Sequence, residues 1–329
     1  MKLKQIISLV LLSSLVGCKA DNNELTGNLS VTFFDVGQAD CSLIEQGDTH
    51  ILVDAGNDAD GPLIVQTLLD MGINQLDAMI ITHPHEDHLG GADDVIDALK
   101  VSEVIGFYYD TKSEYYLDLI KRMEENQLTF TQVNPMQTVD INGLNVKILH
   151  VDPNNKDVND SSIAFRLDYK DVGFFFGGDI SNEVAEDLTL FVNGIDVYKA
   201  NHHGSRYSNS DIFLTVMSPD ITIMSCGKNN QYGFPHDEVM ETLKWLDSEV
   251  MQTDIDGFIE CDSDGNEVSC TALDNKYPLT NEHIIGNKNS KIYHSSTCTK
   301  LPEKRNAIEL YSTQVAQLLG YQPHQQCMN

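Results

Sequence analysis

Residues 82–91 constrain this chain more than any other stretch, because four side chains that bind metal ions fall within six residues there. They are His83, His85, Asp87 and His88. The apolar run 78–81 before them predicts a buried strand, and Gly90-Gly91 predicts a turn into a helix over 93–99. Histidines two residues apart at a strand end share a face. This pattern predicts a site for two divalent ions, either zinc or, where oxygen ligands dominate, manganese.

Length and charge limit the class of protein. The 329 residues, 41% of them hydrophobic, are enough for one large domain and a small one. The formal net charge of −29 is spread along the chain, as expected for the solvated surface of an exported protein. Such a surface repels nucleic acid at long range, so a polyanionic substrate needs local help from metal ions.

The first residues predict export. Lys2 and Lys4 precede an apolar run over 6–16 that is too short for a membrane span, so 1–18 is predicted to be a signal peptide. The end of this run, Leu-Val-Gly-Cys18, resembles the bacterial lipobox. The resemblance implies a lipid on Cys18, a tether over 19–28 and a protein anchored to the membrane outside the cytoplasm. Lys19 resembles the outer-membrane sorting pattern of Gram-negative bacteria.

The order of predicted elements indicates the fold class. A β-rich stretch over 29–44 and a strand over 51–56 are predicted to form a hairpin through Gly47-Asp48. Further strands over 104–109, 144–150, 163–169, 172–176, 197–200 and 221–225 are interspersed with helices over 63–71, 113–126, 184–191 and 237–246. This pattern predicts an α+β fold, in which two packed mixed sheets are flanked by helices.

Five motifs occur in one order and carry a family resemblance. They are 34–40 (FDVGQAD), 83–88 (HPHEDH), 159–162 (NDSS), 176–179 (FGGD) and 201–205 (NHHGS). Together they resemble the metallo-β-lactamase superfamily, and within it the hydrolase domain of ComEC/Rec2-type competence proteins, over about residues 29–270. A looser likeness extends to phosphorylcholine esterases. The resemblance implies the four-layer αββα fold for a hydrolase domain over 29–275.

The resemblance also implies site residues. Asp179 is expected to bridge two metal ions. His202 and His203 follow the strand over 197–200. One of them is expected to bind metal and the other to contact the substrate phosphate. We favour His202 for metal and His203 for catalysis. His236 lies just before a helix, where it could hydrogen-bond a phosphate oxygen. Asp87 is expected both to bind metal and to act in catalysis.

One family position departs from the pattern. β-Lactamase-type members carry a further histidine after the third motif, and here that stretch contains Asn159, Asp160 and Ser161. Asp160, Asn159 or a water could fill the place, and Asp160 is our candidate ligand. The departure argues against β-lactam substrates. The chemistry implied by the family is water activated between two metals for attack on a phosphodiester.

The tail over 282–329 has its own signature. His294 and Cys298 form an H-x3-C pair, and His324 and Cys327 form an H-x2-C pair. Two imidazoles and two thiols at these spacings predict one closed structural zinc site, and a domain this small needs such a staple. The stretch resembles the zinc-binding domain of the Ada DNA-repair protein. The alternative is a Cys298–Cys327 disulfide. A helix over 313–319 is predicted, with Ser312 as its cap.

Residues 261–270 predict a disulfide-linked hairpin. Asp262-Ser263-Asp264-Gly265-Asn266-Glu267 has some likeness to a calcium loop, but it lacks the distal glutamate of an EF-hand. The flanking residues Cys261 and Cys270 are predicted to pair.

Three functions compete at this point. The first is a lipid-anchored, extracytoplasmic phosphodiesterase or nuclease, with single-stranded DNA as a candidate substrate. The second is a phosphorylcholine-type or small-ester hydrolase, and the third is a catalytically idle nucleic-acid-binding module. No protein partner can be deduced from the sequence. Retention of the complete metal motif argues against an idle module.

Overall fold

A computed structural model describes residues 27–273, 277–280 and 282–328. The expected signal peptide, lipid-attachment residue Cys18 and most of the tether therefore lie outside the described residues. Within the described ranges, none of the helices combines the length and apolar character that crossing a bilayer requires.

Twenty-one strands are formed within the described ranges. In chain order they are β1 (Leu29–Phe33), β2 (Ser42–Gln46), β3 (Thr49–Val53), β4 (Gln75–Leu76), β5 (Ala78–Ile80), β6 (Lys100–Val101), β7 (Val104–Ile105), β8 (Phe130–Thr131), β9 (Thr138–Ile141), β10 (Leu144–His150), β11 (Ala164–Tyr169), β12 (Val172–Phe176), β13 (Val197–Lys199), β14 (Ile221–Met224), β15 (Glu249–Gln252), β16 (Ile259–Ser263), β17 (Val268–Ala272), β18 (Ile284–Asn287), β19 (Ile292–Ser295), β20 (Ala307–Glu309) and β21 (Gln322–Pro323).

Nine α-helices connect them among the described residues. They are α1 (Gly61–Asp70), α2 (Glu86–Leu89), α3 (Ala92–Ala98), α4 (Glu114–Glu125), α5 (Asn182–Asp187), α6 (Asp211–Met217), α7 (Asp237–Trp245), α8 (Thr253–Asp256) and α9 (Thr313–Leu318). Short 3-10 turns occur at Asn159–Ser161 and Asn201–Gly204, both beside the site described below.

Two large mixed sheets carry the fold. The first has the strand order β17-β16-β1-β2-β3-β5-β7-β8, and the second has the order β15-β14-β13-β12-β11-β10-β9. Strands β3, β5, β7 and β8 run parallel in the first sheet, as do β12 to β15 in the second. Loops that leave the carboxyl ends of parallel strands collect at one edge, which is where open α/β sheets place ligands.

The core explains why strand sequences are continuously apolar. In β5, Ala78 and Ile80 pack between the sheets, whereas Met79 packs on the helix side. In β12, Phe174 and Phe176 face the other sheet and Phe175 faces the helices. A strand buried on both faces needs apolar residues at every position rather than at alternate ones. The two sheets with helices outside each confirm the predicted four-layer fold.

Several local predictions are confirmed. Strands β2 and β3 form the hairpin through Gly47-Asp48. The disulfide Cys261–Cys270 joins directly opposed residues of β16 and β17. The β-rich stretch over 29–44, in contrast, is interrupted by a loop over 34–41 that separates β1 from β2. Gly37 has a φ of +70° in this loop, a left-handed conformation that glycine adopts without a steric penalty.

The tail forms a small four-stranded sheet with the order β20-β18-β19-β21. The predicted helix is present as α9, and the Ser312 hydroxyl accepts a hydrogen bond from the Val315 amide at 3.1 Å. Tyr293, Leu310 and Leu319 belong to the same apolar cluster as Ile64 of α1 and Val95 of α3. The tail is therefore packed onto the helices that flank the first sheet.

Candidate metal centre

The candidate site lies where the two sheets present the carboxyl ends of their parallel strands. β3 delivers Asp54, β5 delivers the 83–88 motif, β12 delivers Asp179 and β13 delivers His203. The turn before Asp179 depends on two glycines. Gly178 has a φ of +57°, and a Cβ on Gly177 would lie 2.0 Å from Asn201 Oδ1. Residues far apart in sequence thus reach one cavity.

The first ligand group contains the two histidines of the H-x-H pair. His83 Nε2 is 3.0 Å from His85 Nδ1 and 3.9 Å from Asp179 Oδ2. His83 is fully buried, and burial lowers its pKa well below that of a free imidazole because the charged form loses its hydration. The pKa of His85 is lowered by burial as well. Neutral imidazoles offer the lone pairs that metal binding requires.

The second ligand group contains Asp87, His88 and His203. Their ligand atoms lie within 4.8 Å of one another. His203 Nε2 is 3.3 Å from Asp87 Oδ2, and His88 Nε2 is 3.3 Å from Asp179 Oδ1. The two oxygens of Asp179 therefore face different histidines, Oδ2 towards His83 and Oδ1 towards His88.

Three buried atoms in this cavity test whether the site fits a cation. His88 Nε2, Asp179 Oδ1 and His203 Nε2 are buried and make no hydrogen bond of good geometry, and the polar atoms nearest to them are other candidate ligands at 3.3 Å. Burying an unsatisfied polar group costs about 1–3 kcal/mol, and more for charged groups. Divalent cations would supply the missing partner to all three atoms at once. The donor set of imidazoles and carboxylates suits zinc and comparable ions.

Asp54 orients His88. The His88 Nδ1–H donates to Asp54 Oδ2 at 2.8 Å, and both the amide and the hydroxyl of Thr82 donate to the same carboxylate at 2.8 Å. A carboxylate on Nδ1 fixes the tautomer and directs Nε2 towards Asp179 Oδ1, 3.3 Å away. Burial lowers the pKa of His88, but Asp179 and Asp54 outweigh it and raise that pKa well above the ordinary value.

A buried lysine and carboxylate orient His203. Its Nδ1–H donates to the Ser225 carbonyl at 3.0 Å and lies 3.3 Å from Asp40 Oδ1, while Lys199 Nζ donates to Asp40 Oδ2 at 2.8 Å. Although burial opposes ionisation, Lys199 and His203 hold the pKa of Asp40 well below its usual range. Burial also lowers the pKa of His203, yet Asp40 and Asp87 raise it to about 10.

The adjacent histidines take different places. His202 and His203 have φ angles of 47° and 55°, so the backbone turns sharply between them. His203 is 1% exposed and belongs to the second ligand group. The His202 side chain is 27% exposed at the mouth, with Nε2 3.6 Å from Asp179 Oδ2. This geometry favours His203 as the ligand, the reverse of the preference drawn from sequence.

Asp160 is not brought into the site. Its Oδ1 accepts a hydrogen bond from the Ser181 amide at 2.7 Å, which ties the third motif to the turn after Asp179. Asn159 lines the cavity instead, and its Oδ1 is buried without a hydrogen-bond partner. Asn159, the alternative candidate in this motif, therefore lies at the cavity rather than Asp160.

His236 is not brought into the site either. Its Nδ1 accepts a hydrogen bond from the Arg206 amide at 3.1 Å, and its ring packs edge-on against Phe234 with centroids 5.1 Å apart. Phe234 lines the cavity and His236 does not. A histidine immediately before a helix is only a weak signal for phosphate binding. Here the ring of His236 hydrogen-bonds and packs within the loop instead.

Sequence reasoning missed Asp40, Asp54 and Lys199 as site residues. Each is buried, and each supports a ligand from behind. A signal was available: all three are charged residues in or next to apolar strand sequence, where an ion without a partner would be costly. Asp40 ends the 34–40 motif and Asp54 lies in the predicted strand over 51–56, but their roles depend on contacts that only the fold reveals.

The tail brings its four predicted ligands together. His324 Nδ1 is 3.2 Å from Cys327 Sγ and 3.8 Å from Cys298 Sγ, and His294 Nδ1 is 3.8 Å from Cys327 Sγ. Cys298 and Cys327 are free thiols, so the alternative disulfide is not formed. All four ligand atoms lie within 4.8 Å, and the group could hold zinc.

The class of protein follows from the two mixed sheets, the outer helices and the candidate metal ligands at the sheet edge. A sequence profile of the metallo-beta-lactamase superfamily matches residues 34–228, more than half of the chain, and the chain belongs to that superfamily. The fold implies divalent metal binding. The chain is thereby placed among metal-dependent hydrolases, as the motifs predicted.

Particular relatives confirm the predicted likeness to ComEC/Rec2-type competence proteins. ComE operon protein 3 of Bacillus subtilis is 30% identical over 204 residues, which are 60% of this chain and 26% of that protein. Recombination protein 2 of Haemophilus influenzae is 29% identical over 234 residues, 69% of this chain and 28% of that protein. The chain thus spans about a quarter of the length of these relatives.

Solved structures include the metallo-beta-lactamase fold protein YhfI from Bacillus subtilis. It matches with a TM-score of 0.48 and 14% identity, covering 68% of this chain and 96% of YhfI.

The adjacent histidines give a first prediction. His203→Ala removes a buried ligand and should lower the bound metal by one ion per chain, whereas His202→Ala should leave the metal content unchanged. Elemental analysis of the purified variants measures this, with circular dichroism to confirm that both are folded. Loss of metal in the His202 variant alone would reverse our assignment.

The tail gives a second prediction. The double substitution Cys298→Ser and Cys327→Ser should lower the zinc content by one ion per chain, because oxygen replaces both thiolates. Ser296→Ala, in the same exposed turn, is the matched control and should retain the zinc. An unchanged zinc count in the double variant would rule the tail site out.

Proposed function

We propose that this chain is a dinuclear metal-dependent phosphodiesterase that is lipid-anchored outside the cytoplasm. One observation carries the proposal: His88 Nε2, Asp179 Oδ1 and His203 Nε2 are buried without hydrogen bonds and converge beside the His83–His85 pair. Buried imidazoles and carboxylates gathered this closely are the donor set that a divalent cation binds, and a bound cation would offset the cost of their burial.

The ligands divide into two sets. His83, His85 and Asp179 would hold one ion, with Asn159 Oδ1 close by. Asp87, His88 and His203 would hold the second, with Asp179 shared. When bound, divalent cations supply Lewis acidity toward phosphoryl oxygens and lower the pKa of water toward neutrality.

The chain's own residues would then orient and bind. Asp54 accepts the Nδ1 proton of His88 and the Ser225 carbonyl accepts that of His203, with Asp40 as the charge partner of His203 at 3.3 Å, so that each Nε2 is left free for a cation. His202, partly exposed at the mouth, can donate from Nε2 to a phosphoryl oxygen. Buried Lys199 neutralises Asp40, which keeps the charge of the inner cavity close to balance.

A phosphodiester suits the electrostatics of the whole molecule. The formal charge of −29 repels a polyanion at a distance, so cations at the site would have to supply the local attraction. Relatives named for competence and recombination support a nucleic-acid substrate such as single-stranded DNA. A phosphorylcholine-type or small-ester substrate is the alternative that substrate assays have to separate.

The substrate range and the contact between Asp54 and His88 give a third prediction. Metal-loaded protein should hydrolyse bis(p-nitrophenyl) phosphate and a single-stranded oligonucleotide but leave a chromogenic β-lactam intact. Asp54→Asn should lower kcat/KM for both phosphodiesters by about 10- to 100-fold, since it disturbs the tautomer of a ligand. Asp48→Asn, in an exposed hairpin turn, is the control. If the metal-loaded protein cleaves neither phosphodiester, the proposed function is wrong.

The anchor gives a fourth prediction. Lys2 and Lys4, the apolar run and Cys18 support lipid attachment, so the full chain expressed in a bacterium should partition into the detergent phase of membrane extracts. Cys18→Ser should move it to the aqueous phase, because the lipid acceptor is lost. Identical partitioning of both proteins would contradict the anchor.

A further inference from the structure

Two aromatic rings lie at the mouth of the metal cavity. The cavity has a volume of about 300 Å³, and Tyr232 and Phe234 line it together with His85, Asp179 and His202. Both aromatic residues belong to the loop over 227–235, which follows β14. Neither ring is required to hold metal, so their position calls for a separate explanation.

The two rings form a layered pair that continues the site outward. Phe234 packs edge-on against His202 with centroids 5.5 Å apart, and lies at 29° to the ring of His203 at 6.2 Å. Tyr232 stacks on Phe234 with centroids 5.4 Å apart and an interplanar angle of 16°. Tyr232 is 57% exposed. A flat apolar surface therefore begins beside the ligands and ends in solvent.

The loop is held in this shape by the side chain of Asn230. Its Oδ1 accepts from the amides of Phe234 at 2.9 Å and Tyr232 at 3.2 Å. Its Nδ2 donates to the carbonyls of Phe234 at 2.6 Å and Gly227 at 3.0 Å. At the base of the loop, the Gly227 amide donates to Gln38 Oε1 at 3.0 Å. A surface ordered in advance loses less entropy when a ligand binds.

We propose that Tyr232 and Phe234 form a stacking platform for a nucleobase next to the scissile phosphodiester. The inference rests on the proposed phosphodiesterase function and narrows its substrate to single-stranded nucleic acid. The acidic surface withholds long-range attraction from phosphates, so affinity has to come from short-range contacts. Base stacking on aromatic rings is such a contact, and it tolerates any sequence because every base has a flat face.

The platform also favours single strands over the interior of a duplex. In a duplex both faces of each base are covered by neighbouring bases, so a ring at the cavity mouth has no face to contact. A single strand can turn one base onto Tyr232 while its adjacent phosphate enters the cavity. Stacking therefore selects single-stranded over duplex substrates and does not select a particular base sequence.

The experiment compares two oligonucleotides of equal charge, an octamer of thymidine and an octamer of abasic sites. For the thymidine octamer, Tyr232→Ala should raise KM about tenfold with kcat nearly unchanged, whereas KM for the abasic octamer should not move. Tyr232→Phe retains the ring and should behave as the wild type. Trp245→Ala removes another exposed aromatic residue, 74% exposed and outside the cavity, and should have no effect.

A binding measurement separates the platform from the chemistry. Fluorescence anisotropy of labelled octamers with cleavage-resistant phosphorothioate linkages, measured with metal-loaded protein, should show tighter binding of thymidine than of abasic sites, and Tyr232→Ala should abolish the difference. Equal binding of both octamers to the wild type would overturn the platform, whether or not cleavage occurs. Competition by choline that Tyr232→Ala relieves, without any thymidine preference, would assign the rings to a quaternary ammonium group and also overturn it.

Discussion

The buried carboxylate of Asp179 is the group around which the site is arranged. It faces His83 with one oxygen and His88 with the other, at 3.9 and 3.3 Å. Burial raises the cost of its charge, yet His88, His202 and His203 hold its pKa well below the usual range. An ionised carboxylate at this depth is stable only in a cationic environment. The fold supplies that environment by bringing four strand ends to one edge.

The polar groups behind the ligands explain how the cavity keeps its shape. Asp54 fixes His88, and Asp40 with Lys199 fixes His203. Asp54 itself has a φ of 58°, an uncommon conformation for a residue other than glycine. Such strain is maintained only where surrounding contacts determine the position, and here the Thr82 hydrogen bonds do so. These hydrogen bonds therefore fix the position of Asp54, and through it the orientation of the His88 ring.

Prediction from sequence succeeded where the signal was local. The apolar strand followed by H-x-H-x-D-H is contained in one short segment, and the confirmed hairpins depend on adjacent residues. It failed where the outcome depends on a backbone turn or on distant partners. The left-handed conformation at His202 and His203 decides which ring faces inward, and no spacing rule encodes it.

The third motif and the helix start illustrate the same limit. Asp160 was expected in the cavity, but the Ser181 amide occupies its carboxylate and Asn159 faces the site. His236 was expected near the phosphate, but its ring nitrogen accepts from the Arg206 amide. In both cases a hydrogen bond within a loop determines the direction of the side chain, and that bond is invisible until the fold is known.

The tail sheet has a consequence for how this protein unfolds. Tyr293, Leu310 and Leu319 share one apolar cluster with α1 and α3, and α3 directly follows the metal motif. A shortened gene product that stopped before residue 282 would expose this patch to water and favour self-association. Because the tail and the helices over the first sheet share one apolar core, we expect them to unfold together as one cooperative unit.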